Sequence, residues 1–167
     1  MGETNLMNDR IGEVAAQFQT KGGTVEYAPY GNGHINDTFL VVCETQEGKR
    51  RRYILQRMNH SIFKMPQRLM ENVVNVTEYL REIIAKRGGN PDRETLNVVR
   101  TGDGSNYYLD GEVNYWRMFL FVEQTVCLEK VESAKDFYDS AVAFGGFQKM
   151  LSDYPAKTLH ETIPNFH

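Results

Sequence analysis

The sequence predicts an α+β domain: an antiparallel sheet of about five to six strands, one large helix packed on it, and a further helix towards each end of the chain. Three observations carry this. Extended segments follow one another through turn chemistry at Gly31-Asn32-Gly33, Gln46-Glu47-Gly48-Lys49, Gly102-Asp103-Gly104 and Asp110-Gly111. Leu69, Val73, Val76, Leu80 and Ile83 repeat at helical spacing over residues 66–87. Strands and helices do not alternate regularly, as a doubly wound parallel sheet would require.

Taken in order, Ile11, Val14, Ala15 and Phe18 mark one face of a helix over roughly residues 5–20, stopped by Lys21-Gly22-Gly23. A hairpin covers residues 24–45, and Arg52 to Met58 forms a third strand. Pro66 suits the first turn of the long helix, and Gly88-Gly89-Asn90-Pro91 ends it. Three strands are expected near 96–101, 105–109 and 114–123. Ser133 and Asp136 are spaced as a capping box for a helix over 134–153, whose apolar face is Phe137, Ala141, Phe144 and Leu151. Gly145-Gly146 within that helix implies close packing or a bend, because each glycine costs roughly 1 kcal/mol against alanine. Residues 158–167 read as an extended tail.

The 167 residues are 41% apolar and 25% charged, with net charge −3, which suits a globular domain and disfavours a nucleic-acid partner. Lys49-Arg50-Arg51-Arg52 reads as a solvated hairpin turn. The two cysteines, Cys43 and Cys127, lie in apolar runs and read as buried thiols of a reducing compartment. No signal-peptide pattern is present, and no apolar stretch approaches the roughly 20 residues of a membrane helix. A cytoplasmic location and no membrane partner are expected.

The stretch from Gly31 to Leu40 organises the functional reading. Two glycines around Asn32 free the backbone and let successive N–H groups approach an anion. The residues alone leave two readings open: a phosphate-covering hairpin or an ordinary turn. His34 is a candidate to face a phosphate or a sugar, or else a turn residue; His60 reads as structural. Tyr107-Tyr108 and Tyr115-Trp116 read as sheet packing. The element order suits the nucleotide-binding lobe of a kinase-like phosphotransferase.

The segments Gly31-Asn32-Gly33-His34-Ile35-Asn36, Tyr53 to Asn59, Ser61-Ile62-Phe63, Leu69-Met70-Glu71-Asn72-Val73 and Ala143 to Gln148 resemble the aminoglycoside/choline kinase superfamily, and within it the bacterial N-acetylhexosamine 1-kinases. The resemblance spans about Tyr30 to His167. It implies a protein-kinase-like N-lobe, and phosphorylation of the anomeric hydroxyl of an N-acetylhexosamine by ATP with Mg²⁺. Gly31, Asn32, Gly33, His34, Ile35 and Asn36 would then cover the phosphates. Phe121, Val122 and Glu123 would form the hinge against the adenine, and Glu71 would stand where kinases place the partner of the strand lysine.

Two departures from that pattern matter. Gln56, followed by Arg57, stands where the lysine is expected, so the phosphate contact falls to Arg57, to another residue or to the backbone; Glu71 then reads equally as a solvated helix residue. None of the four histidines begins the His-x-Asp of a catalytic loop. The expectation is therefore an N-terminal fragment, inactive alone, with no catalytic or metal-ligating residue of its own. Residues 1–133 would be the nucleotide-binding lobe, and 134–167 a linker helix and the start of a C-terminal catalytic lobe that supplies the Mg²⁺ ligands. Self-association through the 134–153 helix is expected. Two other readings stand beside this one: the same lobe of a choline, aminoglycoside or homoserine kinase-like enzyme, and a non-catalytic α+β interaction module.

Overall fold

The computed structural model describes residues 10–125 and 130–164; the first five positions of the predicted N-terminal helix, Cys127 and the last residues of the tail lie outside them. Six strands form one antiparallel sheet: β1 (Gly23–Pro29), β2 (Asp37–Glu44), β3 (Arg50–Met58), β4 (Val98–Val99), β5 (Tyr108–Leu109) and β6 (Tyr115–Leu120). Their order is β1-β2-β3-β6-β4, and β5 also pairs with β6. The helices are residues 10–15 (α1), Pro66–Lys86 (α2), Pro91–Glu94 (α3) and Ala134–Met150 (α4). The α+β architecture is as predicted, with α2 as its one large helix.

Side chains alternate between the faces of a strand. One face carries Phe39, Val41, Cys43, Tyr53, Leu55, Trp116 and Met118, which pack with Ile11, Val14, Ala15 and Phe18 into a single buried cluster. The predicted stripe of the first helix is thus fully used, and Cys43 is a buried thiol. The helix ends at residue 15, earlier than predicted. Beyond it, Gln19 N–H donates to Arg100 O (2.8 Å) and Gln17 O accepts from Gly102 N–H (2.8 Å). These bonds to a neighbouring segment replace those that would have continued the helix.

Asp110 fastens this face. Its side chain is 8% exposed and accepts from the Trp116 indole N–H (2.7 Å) and Arg10 Nη2 (2.7 Å). The backbone N–H groups of Glu112 and Asn114 also donate to it, each at 2.9 Å. Burial by itself would raise its pKa. The donors from Trp116, Asn114 and Arg10 outweigh that and hold the carboxyl well below the usual carboxylate range.

The opposite face lies under α2. Pro66, Met70, Val74, Thr77, Leu80 and Ile84 of the helix are buried, as are Val42, Met58 and Phe119 of the sheet. This stripe sits about one residue along from the predicted one. Thr77 can take a core position because its hydroxyl donates to Val73 O (2.8 Å), which leaves no unpaired polar group. Val73 and Val76 flank the stripe and, with Phe147 of α4, line a groove of 440 Å³.

Several local expectations change. Asn90 caps an unpredicted short helix by accepting from Asp92 N–H (3.0 Å), with Pro91 at its first position. The basic run is not a free turn: Arg50 and Arg52 lie in β3, where Arg50 pairs with Glu44 (2.8 Å) and Arg52 with Glu123. In α4 the predicted capping box is present: Asp136 N–H donates to Ser133 Oγ (3.1 Å), and Ser133 N–H donates to Asp136 Oδ2 (2.9 Å). The close packing expected at Gly145 and Gly146 is absent, since a Cβ at either would meet nothing within 4 Å. No residue of α4 is buried, and Phe137 and Phe144 are 68% and 72% exposed. Among the described residues, no helix is long and apolar enough to cross a membrane.

Candidate functional site

The glycine turn connects β1 to β2, and its residues from Gly31 to Ile35 are exposed. Gly31 has φ +79°, in the region that favours glycine, whereas Gly33 does not need that freedom. A Cβ at either would meet nothing within 4 Å. The base of the turn is held by Tyr30 N–H donating to Thr38 O (2.9 Å). Its far end is held by Asn36, whose Oδ1 accepts from Asn59 N–H (3.0 Å) at the end of β3. His34, Ile35 and His60 line a hollow of 370 Å³ beside the turn. His60 meets the Tyr115 ring edge-on at 6.3 Å.

Gln56 and Arg57 leave β3 on opposite faces. Arg57 turns to the α1 side, where its Nε donates to Asp37 (2.7 Å). There it lines a hollow of 390 Å³ with Arg10, Trp116 and the glycine turn. Gln56 turns to the α2 side. Strand register places Thr38, Gln56 and Arg117 in one row across β2, β3 and β6. Arg117 Nε donates to Gln56 Oε1 (3.0 Å), and Gln56 Nε2 donates to Thr38 Oγ1 (3.0 Å).

Arg117 escaped the sequence reading, which treated the last strand as packing. The available signal was a single charge inside Tyr115-Trp116-Arg117-Met118-Phe119-Leu120. Its guanidinium lies 5.2 Å from the Phe119 ring centroid, and Nη1 is 4.0 Å from Met70 Sδ. Burial pushes its pKa down to about 10.

Glu71, on the second turn of α2, is exposed and meets the His160 ring at 2.6 Å. Asn72 clasps the same residue's backbone: its Nδ2 donates to His160 O (2.8 Å), and its Oδ1 accepts from His160 N–H (2.9 Å). The segment leaving β6 is tied on both sides. Phe121 N–H donates to Arg52 O (3.0 Å), and Arg52 lies over the Phe121 ring at 4.2 Å. Tyr30 meets the same ring edge-on at 5.8 Å. Val122 O accepts from the Thr125 hydroxyl (3.1 Å), and Glu123 O accepts from Arg93 Nη1 (2.8 Å). The Arg52 guanidinium lowers the pKa of the Glu123 carboxyl.

Tyr30 and Phe121 thus present aromatic surface at the edge-on contact between them, while the polar row on the α2 side of the sheet begins two residues after Asn36. Aromatic rings can receive a planar apolar group, and a guanidinium can receive an oxyanion. Among the described residues, no three His, Cys, Asp or Glu side chains gather closely enough to hold a metal ion. No protein-family model matches the sequence.

Proposed function

We propose that residues 1–133 are the nucleotide-binding lobe of an ATP-dependent phosphotransferase whose acceptor is a sugar. The observation that supports this best is that one antiparallel sheet carries a glycine turn between its first two strands, a helix following β3 and an aromatic segment after β6. Kinases use these parts for the phosphates, for the base and for positioning. The turn from Gly31 to Asn36 would lie over the triphosphate, and Phe121, Val122 and Glu123 would flank the adenine. The identity of the acceptor, the anomeric hydroxyl of an N-acetylhexosamine, rests on the sequence resemblance. Magnesium would neutralise phosphate charge in such a reaction. The polar row suits phosphate oxygens; the described residues offer no set of ligands for the ion.

Titration of ATP into the 167-residue chain, followed by two-dimensional NMR, tests the proposal. Millimolar affinity is expected, near about −4 kcal/mol, with shifts concentrated in the glycine turn and Phe121 to Glu123. Shifts confined to other surfaces, or none, would overturn it.

The exposed aromatic face of α4 favours a second activity of the same chain, self-association through this helix. Light scattering that shows only monomer at high concentration would refute that reading.

A further inference from the structure

Arg117 has donors to spare. A guanidinium carries five N–H groups in a planar fork. One is used on Gln56, and one edge rests against a thioether, a weak acceptor. Among the described residues, no carboxylate lies within 4.0 Å of it, although eleven arginine– or lysine–carboxylate pairs form among them. A charge in so enclosed a place is ordinarily paired, because lost hydration must be replaced. No buried side-chain nitrogen or oxygen lacks a partner among the described residues, so the unused edge of the fork is the part that touches solvent. The Gln56 bond fixes the plane of the fork, since Gln56 is itself held by Thr38.

We infer that Arg117 is the cation of a polyphosphate site, oriented by Gln56 and Thr38 from the adjacent strands, and that it serves where a lysine of β3 would serve in other kinases. The inference rests on the nucleotide reading for the identity of the ligand, and on geometry alone for the oxyanion. Arg57, the neighbouring alternative, faces the other side of the sheet and is committed to Asp37. Gln56 has no charge to offer, and its role is to position the guanidinium. A contact from Nη2 to a phosphate oxygen, with Nη1 exchanging its weak thioether acceptor for a second one, uses the donors that the protein satisfies least.

The test follows the Arg117 Nε–Hε signal and the backbone spectrum while ATP, adenosine or inorganic triphosphate is added to the wild-type chain, Arg117→Met, Arg117→Lys and Arg57→Met. ATP and triphosphate are expected to move the Arg117 signal. Arg117→Met should weaken both about 10- to 100-fold, the weight of a charged hydrogen bond. It should leave adenosine binding unchanged, and Arg57→Met should resemble wild type. Arg117→Lys, which keeps the charge and loses the fork, should fall between them. This variant carries the test if Arg117→Met does not fold. ATP affinity that is indifferent to both Arg117 substitutions would overturn the inference and leave the nucleotide proposal standing. Triphosphate binding through Arg117 without any response to ATP or adenosine would uphold the oxyanion site and overturn the nucleotide proposal. No response of the Arg117 signal to any of the three would overturn the inference.

Discussion

The two faces of the sheet treat buried charge in opposite ways. On the α1 face, Asp110 is almost enclosed and fully answered by Trp116, Arg10 and the backbone of its own turn. On the α2 face, Arg117 is also enclosed, yet among the described residues its one firm hydrogen-bond partner is the neutral Gln56. A saturated ion ties elements together, here α1 to the turn before β6. An unsaturated one adds little to folding and keeps its capacity for a ligand. The contrast teaches that burial of a charge does not disclose its role, whereas the count of its partners does.

Substitution sharpens the comparison most directly. Asp110→Ala strands Arg10 and the Trp116 indole, and should lower stability by about 3 kcal/mol or more in urea denaturation. Arg117→Met removes an incompletely paired charge and should change the stability of the ligand-free chain by less than about 1 kcal/mol. Equal losses at the two positions would break the distinction.

Acid titration separates the faces next. The folded-state pKa of Asp110 lies below its unfolded value, so its contribution is complete above about pH 4 and is lost as pH falls through the folded value. The gap between wild type and Asp110→Ala should therefore narrow below about pH 4 when unfolding is followed across pH. Arg117 keeps its proton throughout that range, and Arg117→Met should track wild type. A gap for Asp110→Ala that is constant down to pH 2 would contradict the depressed pKa.

The smallest effect concerns the turn that leads into the polar row. Gly31→Ala forces a Cβ into a left-handed backbone and should cost about 1–2 kcal/mol. Gly33→Ala meets open space without that strain and should stay within about 0.5 kcal/mol. Melting curves that show the two equally affected would mean that the conformation of the turn differs from the one described.

Much of the fold was legible because its causes are local. Turn residues between β-rich runs announced the hairpins. Ile11, Val14, Ala15 and Phe18 announced the first helix, and Ser133 with Asp136 announced the cap of α4. The stripe of α2 was misplaced by about one residue because Leu69-Met70, Val73-Val74 and Ile83-Ile84 are apolar at both positions, and Thr77 looks polar until its hydroxyl is seen to bond its own helix. Gly145-Gly146 suggested contact that the exposed α4 does not make, since propensity carries no information about neighbours.

The site was less legible. The glycine turn was visible from composition, but which glycine needs its freedom depends on backbone angles. Glu71 meets His160 across 89 positions of sequence. Arg117 stands beside Gln56 across 61, a neighbourhood created by strand register alone.

By itself, then, the sequence determined the fold class, the strand-and-turn succession and the faces of the first helix, because each follows from propensity, periodicity and capping within a few residues. Tertiary structure alone decided which charges are answered. A carboxylate and a guanidinium look equally solvated in a linear chain. Only the packing of α1 on one face and α2 on the other, with β6 inserted beside β3, gave Asp110 its full set of donors and left the fork of Arg117 open.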